Sequence, residues 1–400
     1  MPSDTRRNRW PAVRYESVDW SPTVPVDLLT RAQRERYREP YSAAVVPTIA
    51  KRSPSLPDDV ATLASEATLT LTRFDAELGH DITPIASILL RSESAASSQI
   101  ENLSSGAKQI ALAELGSRDK RNASAIVANV AAMPAAVDLS DHLDSAAILA
   151  MHRALMESQD PTIAGCWRTD QVWIGRSSIG PHDADFVAPV AAKIPALIDD
   201  LIGFTHRTDL PPLIVAAIAH GQFETIHPFP DGNGRTGRAL LQSMLRHHGV
   251  TRNVTIPVSA GLLSDTANYF SSLDAYRNGD VSPIVERISH AAILAVANGR
   301  ELVTDLHRIR AGWDTRLRAR RGSSAQRLLD VLPRRPVIDN KEVAAQLGIS
   351  ADNAGRAIRP LVDAEILHEF TGFNRNRMWQ AVEVTAALDA FADRAVRRAR

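Results

Sequence analysis

Residues 227–238 read His227-Pro228-Phe229-Pro230-Asp231-Gly232-Asn233-Gly234-Arg235-Thr236-Gly237-Arg238. Gly232 and Gly234 stand ahead of a predicted helix, where they allow the backbone to approach a ligand and to point its N–H groups at it. The helix dipole adds partial positive charge at the same place. Arg235 and Arg238 are three residues apart, so they share one face of the first helical turn. Backbone donors beside two guanidinium groups are suited to a polyphosphate.

Two further side chains of this loop indicate what happens to the phosphate. Asp231 would repel an anion unless a cation lies between them, and Mg²⁺ held by one carboxylate plus phosphate oxygens is the usual arrangement. His227 stands at the start of the loop and is placed to act as a general base near neutral pH. The residues alone therefore predict transfer of a nucleotide or phosphoryl group to an acceptor hydroxyl.

The composition is that of a globular protein with two or three domains. The chain has 400 residues, 44% hydrophobic and 23% charged, with 46 basic and 46 acidic side chains. These values exclude a disordered, fibrous or uniformly basic chain. Cys166 is the single cysteine, so neither an intrachain disulfide nor a cysteine-rich zinc site is predicted. The sequence shows no secretory signal and no apolar run near the roughly 18 residues of a membrane span, so we expect a cytoplasmic protein with no membrane partner.

Most of the chain carries apolar residues at helical spacing, which predicts a mainly α fold. Residues 165–187 differ, because the strand formers Trp167, Trp173 and Ile174 alternate with turn formers, and this predicts a β-hairpin. We predict helices over about 58–78, 84–100, 104–115, 122–137, 143–157, 189–204, 211–226, 235–248, 264–277 and 281–299.

The loop resembles the signature of Fic-domain proteins, H-x-F-x-[D/E]-G-N-G-R-x-x-R, and matches it at all eight specified positions. The resemblance implies a Fic-type helical bundle with a β-hairpin flap and an AMPylation activity with ATP as substrate. In that reaction His227 deprotonates a hydroxyl of the target protein, AMP is transferred to that hydroxyl, and pyrophosphate leaves. Relatives that act as kinases carry Lys where this chain has Gly234, so the resemblance favours nucleotidyl over phosphoryl transfer.

The resemblance also implies roles for the other loop residues. Asp231 would hold Mg²⁺, and Phe229 would anchor the loop in the core. Gly232, Asn233 and Gly234 would shape the anion hole, while Arg235 and Arg238 would bind the β- and γ-phosphates.

Two regions outside the loop are similar to parts of Fic proteins that meet the target and the nucleotide. Val172, Trp173 and Ile174 would form the flap strand that pairs with the target's backbone, as in strand addition. The alternative is that Trp167 and Trp173 are core aromatics. Tyr269 and Tyr276 stand where similar proteins approach the adenosine, and the alternative for both is helix packing.

A second motif opposes the first. Ser97, Glu101 and Asn102 belong to Ser97-Ser98-Gln99-Ile100-Glu101-Asn102, which resembles the inhibitory motif [S/T]-x-x-x-E-[G/N] that many Fic proteins carry on a helix before the catalytic loop. By this resemblance Glu101 would pair with Arg238 and deprive the γ-phosphate of ATP of its partner. In some Fic proteins the same glutamate aligns a water that removes AMP, so a de-AMPylating role for Glu101 stays open.

The C-terminal residues resemble a winged helix-turn-helix domain. We predict helices over 325–332, 340–347 and 351–364, then a two-stranded wing over 371–379, with Pro360 expected to kink or break the third helix. From Arg316 onward, sixteen Lys and Arg against ten Asp and Glu leave a net charge of +6. DNA binding would use side chains of the third helix and the wing, namely Arg356, Arg359, Arg375 and Arg377. The alternative is a module for protein docking or dimerisation.

These observations predict four segments and one main function. The segments are an N-terminal arm and helical region, a Fic domain with its inhibitory helix near 85–103, an Arg-rich connector and the winged domain, over residues 1–84, 85–300, 301–322 and 323–400. The main function is that of a protein adenylyltransferase, acting on a target protein or on itself and autoinhibited by Glu101. The alternatives are the reverse hydrolase and a DNA-binding regulator whose Fic site senses nucleotide; a homodimer is left open.

Overall fold

The computed structural model describes residues 10–20, 30–80, 82–175, 179–371 and 377–397, and the fold is mainly helical, as predicted. In chain order the helices are α1 (Arg31–Arg36), α2 (Asp58–Glu77), α3 (Ile82–Ile100), α4 (Ala107–Glu114), α5 (Arg121–Asp138), α6 (Ser145–Met156), α7 (Ile194–Thr205), α8 (Pro212–Ile226), α9 (Asn233–His247), α10 (Val258–Leu263), α11 (Thr266–Arg277), α12 (Ser282–Arg316), α13 (Ser324–Val331), α14 (Asn340–Leu347), α15 (Ala351–Asp363) and α16 (Val382–Arg397). The strands are β1 (Arg14–Val18), β2 (Tyr41–Val45), β3 (Trp173–Ile174), β4 (Phe186–Val187), β5 (Val337–Asp339), β6 (His368–Glu369) and β7 (Met378–Gln380).

The chain divides into two compact units, each assembled from separate stretches of sequence. The first unit contains residues up to Glu66 together with 134–248 and 267–289, and the second contains 67–133, 249–266 and 290–400. The predicted boundaries at 84, 300 and 322 follow motifs along the chain and stay a prediction.

Helix α8 forms the centre of the first unit. Every residue from Leu213 to Ile226 is buried, both the apolar first half and the more polar second half that leads to the loop. It packs against α7 and α9, and α9 packs in turn against α6. The catalytic loop joins α8 to α9, so both of its ends belong to the buried core.

Two small antiparallel sheets complete the first unit. In one, β1 pairs with β2, with Arg14 opposite Val45 and Val18 opposite Tyr41. This pairing gives regular structure to part of the N-terminal segment, whose scattered prolines predicted only an extended arm. In the other, β3 pairs with β4 at the position of the predicted hairpin.

The second unit is built around α3, which packs against α10 and α16. Its Arg91 side chain forms an ion pair with Glu114 of α4, with Nε 2.9 Å from Oε1. Arg335 approaches the second oxygen of Glu114 at 3.0 Å, and both members of the first pair are largely buried. This cluster joins the helix that carries the inhibitory motif to the chain just before β5.

The three predicted helices and the strand pair after them occur in the predicted order, and the structure adds β5 and α16 to them. The strands form an antiparallel sheet in the order β5-β7-β6, with α13, α14 and α15 placed before the β6–β7 pair in sequence. Ser350 caps α15 through its side chain, and Gly348 ends α14 in the left-handed conformation. The assignment as a winged helix-turn-helix domain stays a prediction.

Two local boundaries differ from the expectations. Helix α15 continues for three residues beyond Pro360, so the expected break at the proline was wrong, while a kink there stays a prediction. The helix predicted near 281–299 extends to Arg316, through most of the expected connector. Its extension follows from the buried Leu302, Leu306 and Trp313, which continue the helical spacing.

Within the described part of the chain, no helix is both long and apolar enough to cross a membrane.

Candidate active site

His227 ends α8 in the left-handed conformation, with φ 50° and ψ 61°. Few residues other than glycine adopt this conformation, which turns the chain sharply at the helix end. The backbone N–H of His227 still donates to Phe223 O at 2.9 Å, so the last helical turn is complete. The Nδ1–H of its imidazole donates to Glu224 O at 3.4 Å, which leaves Nε2 as the basic nitrogen.

Phe229 is buried in the loop that follows, which fits the predicted role of an anchor. Its ring is fully buried and stacks on the imidazole of His152, with centroids 3.7 Å apart and planes within 6°. Trp167 stacks on the same ring with centroids 4.9 Å apart. Truncating a buried Phe commonly costs about 3–5 kcal/mol of stability. The loop is therefore fixed by packing as well as by hydrogen bonds.

Asn233 closes the loop onto itself. Its Oδ1 accepts a hydrogen bond from the Phe229 N–H at 2.8 Å, and its Nδ2 donates to Phe229 O, also at 2.8 Å. Between these residues Gly232 has φ 77°, a value that favours glycine. Its N–H donates to Oδ1 of Asp231 at 2.6 Å, while the Asp231 side chain is 70% exposed.

Arg235 and Arg238 lie in the first turns of α9 and are almost completely buried, with 4% and 2% of their surface exposed. Arg235 donates to Gln159 Oε1 at 3.3 Å, and its Nη2 lies 3.9 Å from Oδ1 of Asp231. Buried guanidinium groups near the N-terminus of a helix are the arrangement expected of an anion site, and phosphate binding by Arg235 and Arg238 stays a prediction.

The close packing of α8 and α9 depends on Gly237. A Cβ at this position would lie 2.5 Å from Glu224 Oε1 and 2.9 Å from a ring carbon of Phe223. One turn earlier in α8, the Nδ1–H of His220 donates to Gly237 O at 3.2 Å. Burial, and then the charge of Arg238, lower the pKa of His220 to about 3, so His220 stays neutral.

His152 is a site residue that the sequence analysis did not identify. Its Nδ1 accepts from the Gly165 N–H at 3.0 Å, and its Nε2–H donates to Asp231 O at 3.0 Å. Burial lowers the pKa of His152 to about 4, which keeps the ring neutral while it stacks on Phe229. The available signal was a histidine on the same helical face as the apolar Ile148 and Leu155, where a buried polar side chain needs partners.

The flap strand is short. Trp173 lies opposite Val187 and Ile174 opposite Phe186, and the Ala188 N–H donates to Val172 O at 3.2 Å. Trp173 packs edge-on against Trp20, with centroids 5.7 Å apart, whereas the Ile174 side chain is 38% exposed. The packing interpretation therefore fits Trp173 and also Trp167, and target docking by Val172, Trp173 and Ile174 stays a prediction.

Tyr269 and Tyr276 lie in the interior, with 1% and 2% of their surface exposed. The Tyr269 hydroxyl donates to Nε2 of His220 at 2.8 Å, and the Tyr276 hydroxyl donates to Gln222 Oε1 at 2.8 Å. Burial favours the packing interpretation for both, and contact with a nucleotide stays a prediction.

The motif that resembles an inhibitory motif, residues 97–102, lies at the end of α3 in the second unit, and its inhibitory role stays a prediction. Ser97 is fully buried and Glu101 is exposed. Asn102 has φ 61°, and the Leu103 N–H donates to Ser98 O at 2.9 Å, which closes the helix end. The glycine or asparagine of the motif is explained by this geometry, because these residues adopt the left-handed conformation most readily.

The arginines predicted to contact DNA have different surroundings. Arg356 and Arg359 are exposed on α15. Arg377 forms an ion pair with Glu369 and lies over the Trp379 ring, 5.3 Å from its centroid. Arg375 lies outside the described residues. DNA binding stays a prediction.

Comparisons with known proteins agree with this geometry. Residues 142–245 match the model of the Fic/DOC family. The protein adenylyltransferase fic-1 of Caenorhabditis elegans is 35% identical over 142 residues, which are 36% of this chain and 26% of that protein. The protein adenylyltransferase Fic of Drosophila willistoni is 32% identical over 142 residues, with the same coverage of both chains. The chain thus spans about a quarter of the length of the curated relatives it matches.

A solved structure extends the similarity of fold. The crystal structure of a Fic family protein from Desulfovibrio desulfuricans G20 superposes with a TM-score of 0.52 at 22% identity, over 82% of this chain and 97% of that one. The fold is therefore shared with this Fic family structure, and residues 142–245 are the part of the chain that matches the Fic/DOC family.

Proposed function

We propose that this protein is an adenylyltransferase that transfers AMP from ATP to a hydroxyl side chain of a protein, either a target or itself. The observation that carries the proposal is the hydrogen bond from Nδ1–H of His227 to Glu224 O, because it leaves Nε2 as the basic nitrogen. The loop that begins at His227 leads into α9, whose first turns carry the buried Arg235 and Arg238. The names of the relatives matched over this domain support the same reaction.

The proposed reaction is a single displacement at the α-phosphorus. Nε2 of His227 takes the proton from the acceptor hydroxyl as its oxygen attacks phosphorus. The new P–O bond forms as the bond from the α-phosphorus to the bridging oxygen of the β-phosphate breaks, and pyrophosphate leaves. Arg235, Arg238 and the N-terminal N–H groups of α9 stabilise the negative charge on the departing phosphates.

The surroundings of Asp231 fit a role in holding Mg²⁺. Its carboxylate is 70% exposed and lies beside the N-terminus of α9. The described residues contain no cluster of three or more His, Cys, Asp or Glu side chains arranged for a metal. One carboxylate suffices when phosphate oxygens and water complete the coordination, as is usual for Mg²⁺ on a nucleotide. The ion would neutralise phosphate charge when bound.

We further propose that Glu101 restrains the activity by competing with the γ-phosphate for Arg238. The proposal rests on the sequence motif and on the exposed position of Glu101 at the end of α3. A glutamate that pairs with the arginine removes one donor from the triphosphate and places negative charge near it, which disfavours productive ATP binding.

The test is incorporation of label by the full chain from ATP labelled at the α-phosphate or at the γ-phosphate, with Mg²⁺ and a cell lysate. The Glu101→Gly variant is used to raise the signal, and His227→Ala serves as the blank. Label from the α-position alone is expected. Label from the γ-position alone would make the protein a kinase, and release of AMP from a pre-modified protein by the unmutated chain would identify the reverse hydrolase.

A further inference from the structure

Arg168 lies behind the catalytic loop, and its hydrogen bonds join two parts of the site. Its Nε donates to His227 O at 2.9 Å, and its backbone N–H donates to Pro228 O at 3.0 Å. On the other side, Nη1 donates to Asp170 O at 3.0 Å and Nη2 donates to Pro189 O at 2.5 Å. One planar group therefore contacts the start of the catalytic loop and both ends of the chain that forms the flap.

The two flap contacts lie at the base of the hairpin. Asp170 precedes β3 by three residues, and Pro189 follows β4 by two. Gln171 ties the same base together, because its Nε2 donates to Val172 O at 3.1 Å and to Ala188 O at 2.6 Å. A shift of the Arg168 guanidinium group would thus change the position of the start of β3 relative to His227.

The burial of Arg168 shows why an arginine is needed here. Only 3% of its surface is exposed, and burial lowers its pKa to about 10, so it remains charged at neutral pH. In the described part of the chain, each hydrogen bond of its side chain goes to a backbone carbonyl. A guanidinium group offers five donors in a fixed plane, whereas an ammonium group is a single point that cannot reach three carbonyls in these directions.

We propose that Arg168 is a positioning residue, which sets the distance between the imidazole of His227 and the flap strand that receives the target. The proposal rests on the proposed adenylyl transfer and adds to it a residue that touches neither ATP nor the acceptor hydroxyl. The physical basis is that a displacement of about 1 Å between reacting groups can lower a rate about a hundredfold.

The test compares Arg168→Lys with Arg207→Lys in the full-length Glu101→Gly background. Arg207 is the control, since its side chain is 13% exposed and donates to the Arg52 carbonyl, while its other hydrogen bonds go to Asp209 and Ser53 and none to the loop or the flap. Three quantities are measured: the rate of self-labelling from α-labelled ATP, the Kd and stoichiometry of ATP binding by calorimetry, and amide hydrogen exchange over 170–175 and 186–190.

The expected result for Arg168→Lys is a rate about ten to a hundred times lower, with the Kd for ATP within about twofold and unchanged stoichiometry. Exchange at the flap base should rise in this variant and stay unchanged in Arg207→Lys. Gln171→Ala, which removes the two carbonyl contacts at the flap base and the hydrogen bond from the Tyr41 hydroxyl, should lower the rate by a smaller factor without changing ATP binding.

Different failures have different meanings. If the Glu101→Gly background itself incorporates no label, the proposed function fails. If that background is active and Arg168→Lys labels at the same rate, or loses ATP stoichiometry in parallel with rate, Arg168 is a structural residue and the positioning proposal is overturned. Unchanged exchange at the flap base would overturn it as well.

Discussion

The ends of α8 and α3 are formed in the same way but are surrounded differently. Each ends in a residue other than glycine with positive φ, His227 at 50° and Asn102 at 61°. After His227 the chain enters a loop in which Phe229 is fully buried and Asn233 is 3% exposed. At the end of α3, Glu101 and Asn102 are exposed, and the bonds that close the helix are local.

In the proposed function this difference has a purpose, because the general base His227 must be held in place and the inhibitory Glu101 must be able to move. A general base is effective when its position is fixed before the substrate arrives, and the packing around Phe229 supplies that fixed position. A short helix end with exposed side chains opens at a lower free energy than a packed core segment. Such an end is suited to an inhibitory group that has to yield to ATP.

The largest effect expected is that of His227→Ala, which removes the base and keeps the loop anchored. Transfer should fall about 10²–10⁴-fold, the usual contribution of a general base. ATP binding should persist, because Phe229 and the arginines of α9 are untouched. Labelling from α-labelled ATP together with calorimetry checks this, and transfer at the original rate would mean that another group takes the proton.

Replacing Glu101 tests the other side of the comparison. Glu101→Gly should raise self-labelling tenfold or more, since each 1.36 kcal/mol by which the activation free energy falls raises the rate tenfold. Asn102→Gly is the matched control: it keeps a residue suited to φ 61° and removes no charge, so its rate should stay near that of the unmutated chain. Equal labelling rates in the unmutated chain, Glu101→Gly and Asn102→Gly would contradict autoinhibition by Glu101.

Acid should weaken the unit that holds the catalytic loop through His152. The pKa of His152 is about 4 in the folded chain against 6.5 for an ordinary histidine, so the unfolded chain binds the proton first as the pH falls. The free energy of unfolding should drop by up to about 2 kcal/mol for this residue between pH 7 and pH 5. Urea unfolding of His152→Gln should show a smaller drop over the same range, and an identical drop would show that His152 titrates normally.

The smallest effect concerns Tyr276, for which packing and nucleotide contact predict different results. Tyr276→Phe removes the hydroxyl that donates to Gln222 and leaves the ring in place. Stability should fall by about 1–2 kcal/mol, while the Kd for ATP should not change. Thermal unfolding and calorimetry measure the two quantities, and a weakened affinity for ATP with unchanged stability would restore the nucleotide-contact interpretation.

Much of the first unit was predictable because its signals are local. The helix boundaries of α8 and α9 lie within about two residues of their predicted positions, since Gly232 and the polar loop interrupt two apolar repeats. The placement of both arginines in the first turns of α9 also followed from the predicted helix start, and the anchor role of Phe229 stays a prediction that its burial fits. The pairing of β1 with β2 was not predictable, because its partners lie far apart in sequence and the strands are short.

Other contacts of the site had no sequence signal of their own. Arg168 stands within the segment 165–187 of the predicted hairpin and could have been an ordinary surface arginine. His152 belongs to α6, a helix whose buried face is otherwise apolar. Each gains its role only when a distant stretch of chain brings carbonyl groups to its donors.

The amino-acid sequence by itself determined the Fic signature, the helical character of the chain and the local turns at Gly232 and Asn102, because spacing and backbone preference act over a few residues. Tertiary structure alone decided that His152 would be neutral, that Tyr269 and Tyr276 would be buried and that Arg168 would join the loop to the flap. Burial and long-range hydrogen bonds depend on which segments meet, and that is a property of the packed fold rather than of any one segment.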